Sequence, residues 1–200
     1  MINIIDIKEN FIISNEEFCV ELISYDTLEE YINILRSDFY NEFLDFKFNS
    51  YISRENLLNL LSTKVEQYSK NDLNTREFRF IVLNYKRQII AGFTLYINDK
   101  DITETQIRTG DLEIAYFVMP EYQRKGIASN IIYRLIDKLK YLGYGSNIIL
   151  AHVQYRNNKS LNMLKKLQFK RFNKYRGKFG VNLELRRYID NNRRLKWIEV

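Results

Sequence analysis

Apolar residues along this chain fall into two kinds of pattern. The first is short apolar or alternating runs, the period expected of strands. These are "EFCVELIS" (17–24), the stretch 78–83, the stretch 89–97, "LEIAYFVM" (112–119), "NIILAHV" (147–153) and the pair "FKRFNKYR" and "VNLELRRYI" flanking "GKFG". A turn at 85–87 makes 78–97 a hairpin. The second pattern is helical spacing. It places Leu28, Tyr31, Ile32 and Leu35 on one face after Asp26 as cap, and Leu57, Leu58, Leu61 and Val65 on another after Ser53. It also places Ile127, Ile131, Leu135 and Leu139 in a stripe over 126–142, widened by Ile132 and Ile136, and predicts a short helix in "NKSLNMLKKL".

The resulting order is strand, two helices, three strands, helix, strand, helix, two strands. This predicts an α/β (α+β) domain with a mixed sheet of about seven strands and helices on both faces. No repeat, low-complexity tract or Pro/Gly/Ser linker divides it, so 1–200 reads as a single domain, long enough for a sound core. Apolar residues make up 46% and charged residues 28%, which excludes a disordered chain. No run approaches a membrane span, and "MINIIDIKEN" has no basic segment leading into a sustained apolar core. A lone cysteine, Cys19, forms no internal disulfide and reads as a small buried residue, and no Cys/His set has metal spacing. The expectation is a cytoplasmic protein without a metal.

The stretch "VMPEYQRKGIASNII" holds the only proline, Pro120, and one of seven glycines, Gly126. Pro120 lacks an amide hydrogen and ends the strand after Met119. Gly126 opens the long helix, whose first-turn amides have no intrahelical partners and whose dipole adds positive potential. Gly126 and Ala128 keep that surface open to a ligand, while Arg124 and Lys125 add charge. Such an opening suits a pyrophosphate. Neither the Walker lysine pattern nor the dinucleotide-binding glycine triplet is present.

Gln123-Arg124-Lys125-Gly126-Ile127-Ala128 resembles the acetyl-coenzyme-A signature Q/R-x-x-G-x-G/A of the GNAT acetyltransferase superfamily. "LEIAYFVMPEYQRKGIA" is similar to the "EIGYWV-P-Y-GKG-A" run of its RimJ/RimL-like branch. A second block, "NNKSLNMLKKLQF", resembles that branch's N-x-x-S…L-x-K-x-G-F through Asn157, Ser160, Leu164, Lys166 and Phe169. The likeness covers about 112–176, the expected acetyl-CoA-binding core. It departs at Leu164, where many members have a tyrosine that protonates the leaving thiolate, and at Gln168, where a glycine is usual.

The resemblance implies the GNAT fold and acetyl transfer from acetyl-CoA to a primary amine. It implies a splay between the strands ending at Met119 and Val153, with backbone groups of Phe117 and Val118 bonding the pantetheine. Residues Gln123, Arg124, Lys125, Gly126, Ile127, Ala128 and Ser129 would take the pyrophosphate. Asn157 would bind the pantetheine or fix its helix start. Glu113, in the "EIGY" slot, would be the general base for an amine that is protonated near neutral pH. The Val118 amide would meet the developing oxyanion. Leu164 has no proton to give, and Ser160, which resembles the serine used in the RimL-like branch, is the candidate acid. His152 reads as a satisfied core histidine, and Tyr116, Tyr122, Tyr133, Tyr141 and Tyr144 as packing.

Net charge is +6, and residues 159–200 carry thirteen Lys or Arg against three acids, Glu184, Asp190 and Glu199. The surplus suits a polyanionic partner or a solvated lysine-rich face. It leaves open an RNA-borne acceptor, as for GNAT toxins that acetylate aminoacyl-tRNA, beside a protein N-terminus, a lysine or a small amine. A CoA- or RNA-binding module with weak catalysis is the non-enzymatic alternative. No helix-turn-helix signature supports DNA binding, and either a monomer or a homodimer fits.

Overall fold

The computed structural model describes residues 2–14, 18–42, 52–177 and 180–190. Glu17, the turn residues Lys178 and Phe179, and the basic Arg193, Arg194 and Lys196 lie outside the described residues. The seven expected strands are present as β2 (Cys19–Leu22), β3 (Glu77–Leu83), β4 (Ile89–Ile97), β5 (Leu112–Val118), β6 (Ile148–Gln154), β7 (Lys170–Gly177) and β8 (Gly180–Tyr188). A two-residue strand, β1 (Ile13–Ser14), extends the edge, giving the order β1-β2-β3-β4-β5-β6-β8-β7. Among the described strands only β5 and β6 run parallel; the other pairs are antiparallel. A parallel neighbour needs a crossover, and the long helix between β5 and β6 supplies it.

The described helices are α1 (Ile4–Phe11), α2 (Tyr25–Arg36), α3 (Asp38–Asn41), α4 (Arg54–Ser69), α5 (Ile127–Tyr141) and α6 (Asn158–Lys166). Helix α1 is an element the periodicity reading omits. It is held by a reciprocal cap, in which Asn3 Oδ1 accepts from Asp6 N at 3.1 Å and Asp6 Oδ2 accepts from Asn3 N at 3.0 Å. Its buried face is Ile4, Ile7 and Phe11. The cap of α2 is Ser24 rather than Asp26: Ser24 N donates to Thr27 Oγ1 at 3.0 Å. Asp26 instead lies in the first turn, where a carboxylate complements the helix dipole. Ser53 caps α4 as expected, accepting from Asn56 N at 3.1 Å.

Side-chain alternation defines the two faces of the sheet. On one, Phe80 stacks on Phe93 with centroids 4.3 Å apart, and α1 and α5 cover this layer through Phe11, Ile131 and Leu135. Helix α6 lies over the same face, where Ser160 meets Tyr116 of β5. On the other face, Phe117 packs against Tyr31 of α2 and against Phe39 and Tyr40, with centroids 6.2, 6.4 and 5.4 Å away. Gly92 lies opposite Phe117, and a Cβ there would come within 2.5 Å of the ring and 3.0 Å of Phe80 O. The absence of a side chain at 92 therefore lets the Phe117 ring lie across β4.

Candidate active site

Strands β5 and β6 share only two register pairs, Leu112 with Ile149 and Glu113 with Leu150, before they part. Beyond that point β5 continues along β4 as far as Val118, opposite Ala91. Met119 N donates to Ile90 O at 2.9 Å, which fixes the alternation: odd-numbered residues of this strand point their backbone groups at β4. The N–H and C=O of Tyr116 and Val118 consequently face the splay. The backbone of Phe117, one of the two expected contributors, is directed to Gly92 instead. Its contribution to this region is its ring.

Pro120–Tyr122 forms a single 3-10 turn that carries the chain off β5. Arg124 (φ 62°) and Gly126 (φ 79°) are both left-handed, which turns the chain back into α5. A Cβ on Gly126 would meet nothing closer than Ser129 Oγ at 3.8 Å, so the requirement for glycine is its backbone angle, not crowding within the protein. Gly126 caps α5 without a side chain. The first-turn amides of Ile127, Ala128 and Ser129 are thus left for a ligand. Ser129 Oγ donates back to Gly126 O at 2.8 Å, and the Lys125 ammonium lies 4.8 Å from the centre of the Tyr122 ring. Gln123 ties the loop to the strand and to α6. Its Nε2 donates to Val118 O at 3.1 Å, and its Oε1 accepts from Lys159 Nζ at 3.0 Å.

These features fit coenzyme A on grounds independent of motif: a long helix opening without a side-chain cap, two adjacent basic residues, and the strand amides of Tyr116 and Val118 turned to the splay beside it. Residues 123–129 would hold the diphosphate, and Val118 with Tyr116 the extended arm. Among the described residues no group of three or more His, Cys, Asp or Glu could hold a metal.

Glu113 stands at the point where the strands part, between Tyr96 of β4 and Leu150 of β6. It lines a cavity of about 470 Å³ with Lys64, Glu77 and Tyr96. Burial lifts its carboxyl above the ordinary carboxylate value, with His152 pulling it back and Glu184 adding to the rise. A raised pKa makes it a stronger base once ionised. Burial likewise pushes the Tyr96 hydroxyl up to about 12, so it remains a neutral donor.

Ser160 reaches the same region from the opposite face. It is the third residue of α6, and its N–H donates to the capping Asn157 Oδ1 at 3.1 Å. Asn157 therefore fixes the helix start, one of its two expected roles. Leu164 is fully buried. A proton carrier at its position is thus replaced by core packing.

His152 is exposed, contrary to the expectation of a core residue. It lies on β6 beyond the last β5–β6 pair, on the face shared with Glu113, and its Nδ1 is 2.9 Å from Tyr175 Oη. Tyr133 and Tyr141 are exposed as well, not packed, while Tyr116 is half-buried with its hydroxyl enclosed. Glu184 is also buried, paired to Arg186 on β8 and opposite His152. Sequence reasoning missed Tyr96, Glu184 and the role of Tyr116. A period-two count along β5, with Glu113 on one face and Tyr116 on the other, was the available signal for Tyr116.

The chain folds like several enzymes of known structure. Ribosomal-protein-S5-alanine acetyltransferase from Vibrio fischeri aligns over 90% of this chain and 97% of its own, with a TM-score of 0.68 at 18% identity. Spermidine N-acetyltransferase from Vibrio cholerae, in complex with CoA and spermine, aligns over 88% and 98%, with a TM-score of 0.66 at 19% identity. RimL, a ribosomal L7/L12 alpha-N-protein acetyltransferase in complex with coenzyme A, aligns over 90% and 98%, with a TM-score of 0.69 at 12% identity. Among curated proteins no sequence matches it. The sequence profile of the acetyltransferase (GNAT) family matches residues 28–169, spanning the splayed strands, the glycine-opened helix and the Asn157-capped α6, and the chain belongs to that family.

Proposed function

We propose that this single-domain chain is a cytoplasmic N-acetyltransferase whose acceptor is a protein N-terminal amine, with a small polyamine as the next class. The observation that carries the reading is Glu113, a half-buried carboxyl of raised pKa at the point where β5 leaves β6, facing a cavity. The structural neighbours named for ribosomal-protein and spermidine acetylation support both classes of amine acceptor. Acetyl-CoA supplies an activated acetyl thioester. Glu113 takes the proton from the attacking amine, directly or through water. The Val118 and Tyr116 amides offer hydrogen bonds to the coenzyme arm and to charge developing on the carbonyl oxygen. Ser160 offers its hydroxyl to the departing sulfur. Fixing both reactants on one frame is worth on the order of 7–11 kcal/mol of barrier.

The purified chain should bind acetyl-CoA by calorimetry and release thiol when given peptides with free N-termini. Coenzyme binding without release across a panel of peptide, polyamine and amino-acid amines would make the chain a binding module. No heat at saturating coenzyme would end the reading altogether.

An RNA-borne acceptor is the second reading, favoured by the edge strand β7. Lys170, Arg171, Lys174 and Arg176 are exposed there, and the Lys174 ammonium lies 5.2 Å from the centre of the Tyr155 ring. Affinity for a tRNA acceptor would fall steeply between 50 and 200 mM salt, on the order of 10³-fold or more if six phosphates are contacted. A small or peptide amine would show a change of a few-fold in the same series.

A further inference from the structure

Residues 98–111, which join β4 to β5, form a polar loop with two apolar residues, Ile102 and Ile107. Those two are paired. Ile102 N donates to Ile107 O at 2.8 Å and Ile107 N to Ile102 O at 3.1 Å, a reciprocal bridge that sets both side chains on one face. Both are half-buried, and both line the cavity of about 470 Å³ into which Glu113 faces.

The loop is fixed in that position from several sides. Arg186 of β8, 1% exposed, donates from Nη2 to Thr105 O at 2.6 Å. The same guanidinium pairs with Glu184 and lies 3.5 Å from the centre of the Phe172 ring. Within the loop, Asp101 Oδ1 accepts from Thr109 N at 2.7 Å, and Asn98 Nδ2 donates to Arg108 O at 2.9 Å. A buried guanidinium is costly unless its donors are used, and here one of them is committed to a loop carbonyl. The isoleucine pair is thus a preformed apolar wall.

The facing wall is polar. Glu77, Tyr96 and Glu113 are in register on three neighbouring strands and share the cavity. Glu77 already serves two cations: Arg79 pairs with one oxygen, and Lys64 Nζ lies 3.4 Å from the other. A second ammonium carried by the acceptor would meet net positive charge there. Of the other acids on the cavity, Asp111 accepts from the Arg108 and Ile148 amides, and Asp99 is exposed to solvent, where its charge is screened.

We propose that this cavity receives the first residue of a peptide acceptor, its amine at Glu113 and an aliphatic side chain against Ile102 and Ile107. The inference rests on the acetyl-transfer reading above and narrows it. Leucine, isoleucine, methionine or valine at the acceptor's N-terminus is preferred to glycine or serine. Peptides are preferred to polyamines, whose second ammonium finds no unshared carboxylate on the polar wall.

Tetrapeptides that differ only in their first residue separate the alternatives, read as kcat/KM with acetyl-CoA and the full chain. The leucine-first peptide should exceed the glycine-first one by about tenfold or more, the discrimination an aliphatic pocket provides, and should exceed spermidine. Ile102→Ala and Ile107→Ala should each lower the leucine-first value about fivefold and leave the glycine-first value within about twofold, so that the preference flattens. Acetyl-CoA affinity by calorimetry should not change in either variant. If either alanine variant fails to fold, Ile107→Ser enters the same series. A wall that only supports the fold would lose both peptides equally in these variants, and that outcome overturns the proposal. So do equal wild-type rates on the two peptides, or spermidine as the better acceptor. A wild-type chain that binds coenzyme and acetylates no amine refutes the acetyl-transfer reading itself, a result distinct from a transferase indifferent to the first residue.

Discussion

Glu113→Gln is expected to lower kcat by ~10²-fold, the scale of a positioned general base, while acetyl-CoA affinity by calorimetry changes less than twofold. The pH profile carries the sharper signature. Because burial holds the Glu113 carboxyl above the ordinary value, the wild-type rate should rise with pH along an acidic limb displaced above that of a free carboxylate. That limb should vanish in Glu113→Gln. Stability should change in the opposite sense to activity. A carboxyl whose folded pKa is raised favours the native state only while protonated, so its penalty grows as pH climbs from the unfolded value through the folded one. Thermal melts at neutral pH should therefore place Glu113→Gln above wild type, with the difference closing in acid. An undiminished rate in this variant would assign the base to another group, and His152, on the same face, would be the first to test.

Gly126→Val should weaken coenzyme binding severely. At φ 79° an L-residue costs about 1–2 kcal/mol, and a β-branched side chain is worse placed still. The chain can relieve this only by rotating the cap, which redirects the amides of Ile127 and Ala128 away from the diphosphate. At least a tenfold loss in affinity is expected by calorimetry, with α5 otherwise retained because Ile131, Ile132, Leu135, Ile136 and Leu139 remain buried. Gly126→Ala should give an intermediate affinity. Wild-type affinity in Gly126→Val would mean that the coenzyme does not use this helix opening.

Features set by adjacent residues were legible in the sequence. Ser53 as a cap, the stripe along α5, the hairpin of β3 and β4, and the break at Pro120 each follow from a few neighbouring positions, and the fold class follows from their order. Helix α1 is equally local, since Asn3 and Asp6 have capping spacing at the start of a segment that buries Ile4, Ile7 and Phe11. The rest depended on register. Whether Phe117 or Tyr116 turns its amide to the splay is decided by which β5 residue first bonds β4, a phase fixed by Met119 N and Ile90 O. Likewise, His152, Glu184 and Tyr175 share a face because β6, β8 and β7 pair in one register, and a one-residue slip would scatter them. No count along a single strand contains that information.

Gly92 and Phe117 form a constraint of another kind. With 2.5 Å between the ring and any Cβ at 92, the two positions cannot drift separately. A bulkier residue at 92 becomes admissible only after the aromatic ring is trimmed, and trimming it enlarges the hollow bounded by Tyr31, Phe39 and Tyr40. Descendants of this sequence that gain a side chain at 92 would therefore be expected to pass first through a smaller residue at 117, with the Phe80 carbonyl, 3.0 Å from the new Cβ, still to be accommodated.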